Sequence, residues 1–136
     1  MSTGAIGIIV ATHGSLAEAL VGATELIVGH KIAVRPFAFG PGEEPKGSSE
    51  RLQALIKRCD KGRGVIILVD MFGGTPGSLA LSHLREQAVE VLTGVNLPMV
   101  MAAAGLPQEL DLAAASRHIA VTGQNSIKQA GQMLQG

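Results

Sequence analysis

The segment VIILVDMFGGTP, residues 65–76, decides the fold of this chain. Its first five residues are apolar, mostly β-branched and without alternation. This pattern is typical of a strand that is covered on both faces in a parallel sheet. Asp70 ends the apolar run, and Gly73, Gly74 and Thr75 follow before a helical pattern begins. A buried strand that delivers a carboxylate to a glycine-rich loop at a helix N-terminus predicts a site for an anion.

A second segment, near the start of the chain, has the same design. Residues 6–15, IGIIVATHGS, are an apolar run that ends on His13, and Gly14 and Ser15 then lead into a helical pattern. Ser15, with Glu18 three residues later, predicts a capping box at the start of that helix.

Hydrophobic spacing divides the whole chain into alternating strands and helices. The predicted strands cover residues 5–12, 32–39, 65–70 and 89–93, and the predicted helices cover 16–28, 48–59, 76–86, 97–104 and 109–120. Asn96 is the predicted cap of the fourth helix, Gly123 is a predicted break, and the tail, residues 127–134, fits either a helix or a strand. The alternation predicts an α/β fold, a three-layer sandwich with a mainly parallel sheet in the order 2-1-3-4.

The predicted strand order places a ligand crevice between the first and third strands. Ligands of such sheets bind beyond the carboxyl ends of the strands, where the strand order reverses. His13 and Asp70 end these two strands, so we expect them to face each other as catalytic residues, with His13 as nucleophile. A neutral imidazole can hold a phosphoryl group. The loop amides and hydroxyl groups predicted to bind the phosphate belong to Gly14, Ser15, Gly73, Gly74 and Thr75.

Composition excludes several classes of function. The 136 residues contain 11 Lys plus Arg, 11 Asp plus Glu and three aromatic residues, all Phe, which argues against a nucleic-acid partner. No P-loop and no Cys/His cluster with zinc spacing occurs, so we expect neither a cofactor nor a metal. We find no linker, internal repeat or signal peptide and expect one domain, residues 1–136.

Three motifs in order resemble the IIA component of the mannose-type bacterial sugar phosphotransferase system. They are IIVATHGSLAEAL, VDMFGGTPGSLAL and VLTGVNLPMV, and FAFGPGEEP also resembles that family's second-strand loop. The resemblance implies a phosphohistidine carrier that accepts a phosphoryl group from the phosphocarrier HPr and passes it to a IIB component. By motif match, His13 is the phosphorylated residue and Asp70 is the carboxylate that orients it.

The resemblance also implies an assembly and a location. Members are cytoplasmic and associate only indirectly with the membrane permease that takes up the sugar. Because no IIB domain follows in this chain, we expect a free-standing subunit that serves sugar uptake or its regulation. Members are dimers in which a C-terminal antiparallel strand is exchanged between subunits, so we expect a homodimer.

Two alternatives stay open at this level. Tetrapyrrole metal chelatases also begin with a strand that ends in HGS, but they need a second metal-binding histidine, for which only His83 and His118 are available. We interpret these two residues and His30 as surface or structural histidines. A non-catalytic regulatory module, read by its phosphorylation state, would use the same His13. The HGS sequence lacks the G-x-S-x-G elbow of a serine hydrolase.

Overall fold

Four strands alternate with helices along the chain. The computed structural model describes residues 4–42, 44–71, 78, 80–81, 83–84 and 88–135. The strands are β1 (Gly7–His13), β2 (Val34–Phe39), β3 (Val65–Val69) and β4 (Val89–Leu92). The helices are α1 (Leu16–Val28), α2 (Pro45–Cys59), α3 (Leu97–Ala104), α4 (Leu112–Asn125) and α5 (Ala130–Met133). Residues 78, 80 and 81 are also helical.

The four strands form one parallel sheet in the order β2-β1-β3-β4, which confirms the predicted α/β topology. β1 lies between β2 and β3, and Ala11 pairs with both Phe37 and Val69. All five residues of β3 are fully buried. This explains why its sequence does not alternate, because both of its faces are covered by other elements.

Two hydrophobic cores cover the two faces of the sheet. On one face, Ile8, Val10, Ile66 and Leu68 pack in a cluster with residues of α1, α3 and α4. On the other face, the intervening strand residues pack with Leu52, Leu55 and Ile56 of α2. Alternate residues of each strand therefore enter opposite cores, which makes the three layers of the sandwich.

The start of α1 differs from the predicted capping box. Ser15 occupies the N-cap position, but its side chain makes no capping hydrogen bond. The buried hydroxyl of Thr12 accepts the Ala17 amide instead, at 2.7 Å. A threonine from the preceding strand replaces the expected cap because the turn at His13 and Gly14 brings the end of β1 under the first turn of α1.

Three helix boundaries were predicted wrongly, and one of them is the start of α4, which lies at Leu112 and not at 109. Helix α2 begins at Pro45, not at 48, because Glu44 is extended and proline suits the first position of a helix. Helix α4 runs through Gly123 to Asn125, where the sequence predicted a break. A Cβ at Gly123 would lie 2.5 Å from Cγ of Met99, so this glycine allows α3 and α4 to pack closely. The Asn96 cap is confirmed, since its Oδ1 accepts the Met99 amide at 3.1 Å.

The tail is helical where it has regular structure. Residues 130–133 form the short helix α5. The C-terminal antiparallel strand is therefore not formed by the single chain, whose sheet has four strands within the described residues. A strand forms only where a neighbouring strand can share backbone hydrogen bonds with it. The tail is instead exposed in the single chain, with Ile127 78% and Leu134 89% accessible. Most of the predicted helix 76–86 lies outside the described residues.

The contact of Gly7 with α2 gives the first prediction. An added Cβ at Gly7 would lie 2.5 Å from the carbonyl oxygen of Cys59, whereas one at the exposed Gly22 in α1 meets nothing within 4 Å. We expect Gly7→Ala to lower the free energy of unfolding by about 1–3 kcal/mol through overpacking. Gly22→Ala, the matched control, should raise it by about 0.5–1 kcal/mol because alanine has the better helix propensity. Urea denaturation measures both, and a Gly7→Ala variant as stable as the parent would contradict this packing.

Candidate functional site

The carboxyl ends of β1 and β3 bring His13 and Asp70 together. His13 is the last residue of β1, and Asp70 directly follows β3. Nδ1 of His13 lies 2.8 Å from Oδ2 of Asp70, and the same oxygen accepts the backbone amide of His13 at 3.1 Å. The carboxylate therefore restrains both the backbone and the ring of the histidine.

The two side chains differ in exposure. The His13 side chain is 52% exposed and the Asp70 side chain 14%. Burial of Asp70 acts to raise its pKa, but the side-chain and backbone hydrogen bonds from His13 outweigh burial and hold the pKa below its ordinary value of 3.8. Asp70 is thus ionised at neutral pH and directs a negative charge at the imidazole.

The contact with Asp70 determines the tautomer of His13. An ionised carboxylate only accepts hydrogen bonds, so we assign the proton to Nδ1, which faces Oδ2. Nε2 is then unprotonated in the neutral ring and points away from the carboxylate. Among the described residues, Oδ1 of Asp70 has no hydrogen-bond partner. Within that part of the chain, Oδ2 alone makes the contacts that hold His13.

The loop residues predicted to bind phosphate have different surroundings. Gly14 has φ of +55°, which a glycine adopts without strain, and its amide donates to the carbonyl of Phe39 at 3.3 Å. Ser15 is exposed at the N-terminus of α1, beside His13. Gly73, Gly74 and Thr75 lie outside the described residues. Of the five predicted loop residues, the structure therefore describes Gly14 and Ser15, which directly follow His13 in the chain.

Sequence reasoning missed three residues around the pair. Thr12 is fully buried and connects β1 to the first turn of α1. Leu16 and Met71 directly follow the His13 turn and Asp70, and they are 43% and 52% exposed. The signal for Thr12 was a hydroxyl side chain within an apolar strand, and the signal for the other two was a large apolar residue in a polar loop.

The other histidines make different contacts. The ring of His30 donates from Nδ1 to the carbonyl of Lys31 at 2.9 Å, and Nε2 of His83 lies 3.2 Å from Oγ of Ser49. His118 is exposed on α4. Within the described ranges, no group of three or more His, Cys, Asp or Glu residues is placed to hold a metal ion. The same ranges contain no helix with the length and apolar character needed to cross a membrane.

Comparison with known proteins points to one family. The family model EIIA-man, described as the PTS system fructose IIA component, matches residues 7–120. The chain is 28% identical over 131 residues to the PTS system fructose-specific EIIA component of Bacillus subtilis, covering 96% of this chain and 90% of that protein. It is 35% identical over 97 residues to the PTS system mannose-specific EIIAB component of Escherichia coli K12, covering 71% of this chain. That match spans only 30% of the length of the Escherichia coli relative.

A solved structure agrees with the sequence comparison. The PTS IIA protein associated with the fucose utilization operon of Streptococcus pneumoniae superposes with a TM-score of 0.84 at 29% identity, over 98% of this chain and 99% of that one. Its fold therefore matches along almost the whole length. On the family-model match and these likenesses, the chain belongs to the mannose-type family of PTS IIA components.

Proposed function

We propose that this chain is a phosphohistidine carrier in which His13 accepts a phosphoryl group from HPr and passes it to a IIB component. The observation that carries the proposal is the contact between His13 and Asp70. It joins a half-exposed imidazole to a largely buried carboxylate at the carboxyl edge of the sheet. The IIB component would in turn phosphorylate sugar at the membrane permease, and the exchange would take place in the cytoplasm.

The transfer step follows from the assigned tautomer. Nε2 of His13 attacks the phosphorus of the donor's phosphohistidine, the bond from the donor nitrogen to phosphorus breaks, and a new bond from Nε2 to phosphorus forms. Nδ1 keeps its proton, so the phosphorylated ring has cationic character. The Asp70 carboxylate, bonded to Nδ1 on the far side of the ring, stabilises that charge without lying against the phosphate.

Positioning and charge stabilisation supply most of what a phosphoryl transfer needs. Asp70 holds His13 by two hydrogen bonds, which limits the loss of side-chain freedom when a partner docks. Ser15, at the N-terminus of α1, offers its amide and hydroxyl to the phosphate oxygens. Gly14, Gly73, Gly74 and Thr75 are further candidates that the sequence predicts.

Access to the histidine suits a protein partner. The exposed half of the imidazole lies at the surface. Leu16, the first residue of α1, and Met71, directly after Asp70, also expose apolar side chains. Apolar residues such as these make up the centre of most protein interfaces. We propose that HPr and the IIB component both dock here, because each must bring its own phosphorylated residue to Nε2.

A homodimer is the proposed assembly. Among the described residues β4 is an edge strand with a strand neighbour on one side only, and the tail exposes Ile127 and Leu134. Pairing of the tail with β4 of a second copy would cover both the edge and these apolar side chains.

The first prediction from this proposal concerns the covalent state. Incubation with enzyme I, HPr and labelled phosphoenolpyruvate should add one acid-labile, base-stable phosphate, because a phosphorylated imidazole hydrolyses in acid. His13→Ala should abolish the labelling, and His30→Ala, which changes a histidine elsewhere on the surface, should leave it intact. Label that persists in His13→Ala would place the acceptor elsewhere, and addition of a IIB component should remove the label from the parent protein.

A second prediction concerns Asp70. Asp70→Asn keeps the size of the side chain but removes its charge and presents either an acceptor or a donor to Nδ1. We expect a folded protein whose transfer in both directions is slower by roughly ten- to a thousand-fold, as for other residues that orient a histidine. Rapid-quench kinetics measure the rates, and NMR of the phosphorylated parent should show phosphate on Nε2. Phosphate on Nδ1, or unimpaired transfer by Asp70→Asn, would refute the role of Asp70.

A third prediction concerns the assembly. Light scattering at micromolar concentration should show a dimer. Deletion of the residues after Ser126 should shift the mass toward a monomer, because it leaves α4 complete and removes only the tail. Labelling of His13 should survive the deletion. A parent protein that scatters as a monomer would refute the dimer without affecting the carrier proposal.

A further inference from the structure

A cavity lies at the opposite end of β1 from His13. It has a volume of about 420 Å³ and is formed between the start of β2 and the last turn of α2. Its floor is apolar and includes Ile6, Ile8, Ile32 and Leu55. Pockets of this size and lining are typical of sites for small molecules.

Three cationic side chains line this cavity, each from a different part of the chain. Arg35 comes from β2, Arg58 from the last turn of α2, and Lys61 from the turn that leads to β3. All three are exposed. The side chains of Arg35 and Arg58 make no hydrogen bond or ion pair with any residue in the part of the chain that the structure describes. Two guanidinium groups are thus available to an external anion.

Cys59 lines the same cavity as the three cationic side chains. Cys59 lies in the wall of the cavity and is partly buried. Burial raises the pKa of the Cys59 thiol, and the positive charges of Arg35, Arg58 and Lys61 act in the opposite direction. Because Cys59 lines the same cavity as the three cations, a ligand bound there should change the access of reagents to its thiol.

The negative charge near the cavity is smaller than the positive charge of the three cationic side chains. The C-terminus of α2 carries a partial negative charge equivalent to about −0.5, which Arg58 offsets. Asp60 follows directly, but its Oδ1 accepts the amides of Gly62 and Gly64 at 2.8 and 3.3 Å. Since the whole chain is electrically neutral, a cluster of three cations over an apolar floor is a local excess of positive charge.

We propose that this cavity binds a small organic anion, whose phosphate or carboxylate group contacts Arg35 and Arg58 and whose uncharged body rests on the apolar floor. The planar guanidinium group offers paired donors that match either oxyanion. β1 separates the cavity from His13, since its first residue, Gly7, lines the cavity and its last residue is His13. At ~3.3 Å per residue the two sites are about 20 Å apart, so this ligand is distinct from the phosphoryl group in transit.

Protection of Cys59 tests the proposal directly. Cys59 is the only cysteine of the chain, so the rate of its modification by the neutral reagent N-ethylmaleimide reports on this cavity alone. Millimolar phenyl phosphate or benzoate should slow the modification, and phenol, which has the same body without the charge, should not. Whichever of the two anions slows the modification of Cys59 more identifies phosphate or carboxylate as the preferred group. The same protection is expected in His13→Ala, which excludes an effect through the carrier site.

Charge-neutral variants complete the test. Arg35→Gln and Arg58→Gln should each raise the anion concentration needed for half-protection about tenfold, the usual effect of losing one charge-assisted hydrogen bond. Arg117→Gln, which removes an exposed charge on α4, is the matched control. In this variant the anion concentration needed for half-protection of Cys59 should equal that of the parent. The circular dichroism spectrum and the urea midpoint verify that each variant keeps its fold, and each half-protection value is referred to that variant's own modification rate without ligand, because loss of a cation also changes the thiolate fraction of Cys59. Absence of protection by both anions, equal protection by phenol, or equal weakening in Arg117→Gln would overturn the proposal.

Discussion

The parallel pairing of β1 with β3 is the constraint on which the site depends. The pairing aligns Ala11 with Val69, and the residues that follow, His13 and Asp70, then meet beyond the last paired positions. A slip of one residue in this register would turn one of the two side chains toward the opposite face of the sheet. Burial of every residue of β3 prevents such a slip, because both cores would lose their packing. The stability of the sheet and the geometry of the site therefore have the same origin.

The contact between His13 and Asp70 also explains how the Asp70 carboxylate stays ionised although it is largely buried. A carboxylate that is only 14% exposed loses most of its hydration, and this loss acts against ionisation. Two hydrogen bonds from His13 to Oδ2 compensate for it and keep the pKa low. The same bonds that stabilise the carboxylate orient the imidazole with Nε2 outward. The orientation of His13 and the negative charge beside it thus come from one neighbouring side chain.

The two ends of the sheet have different chemistry. At the carboxyl ends, the N-terminus of α1 and the imidazole of His13 lie together, an arrangement that favours an anion. At the amino ends, the backbone presents carbonyl-rich helix C-termini, and it is side chains, Arg35 and Arg58, that supply positive charge over an apolar floor. The first site follows from the geometry that every parallel α/β sheet shares. The second depends on individual residues of this chain, and we assign it a separate ligand for that reason.

Local sequence determined the elements and the two central residues of the site. The unbroken apolar run of β3 predicted a strand covered on both faces. The alternation of strands and helices along the chain predicted parallel crossovers. The sheet order and the approach of His13 to Asp70 were therefore predictable. Contacts between elements distant in sequence decided the rest. The sequence predicts a helix break at Gly123, yet Gly123 lies inside α4 because Met99 of α3 packs against it. Thr12 caps α1 in place of Ser15, and Arg35 of β2 lines the same cavity as Arg58 of α2, because only the folded chain brings these elements together.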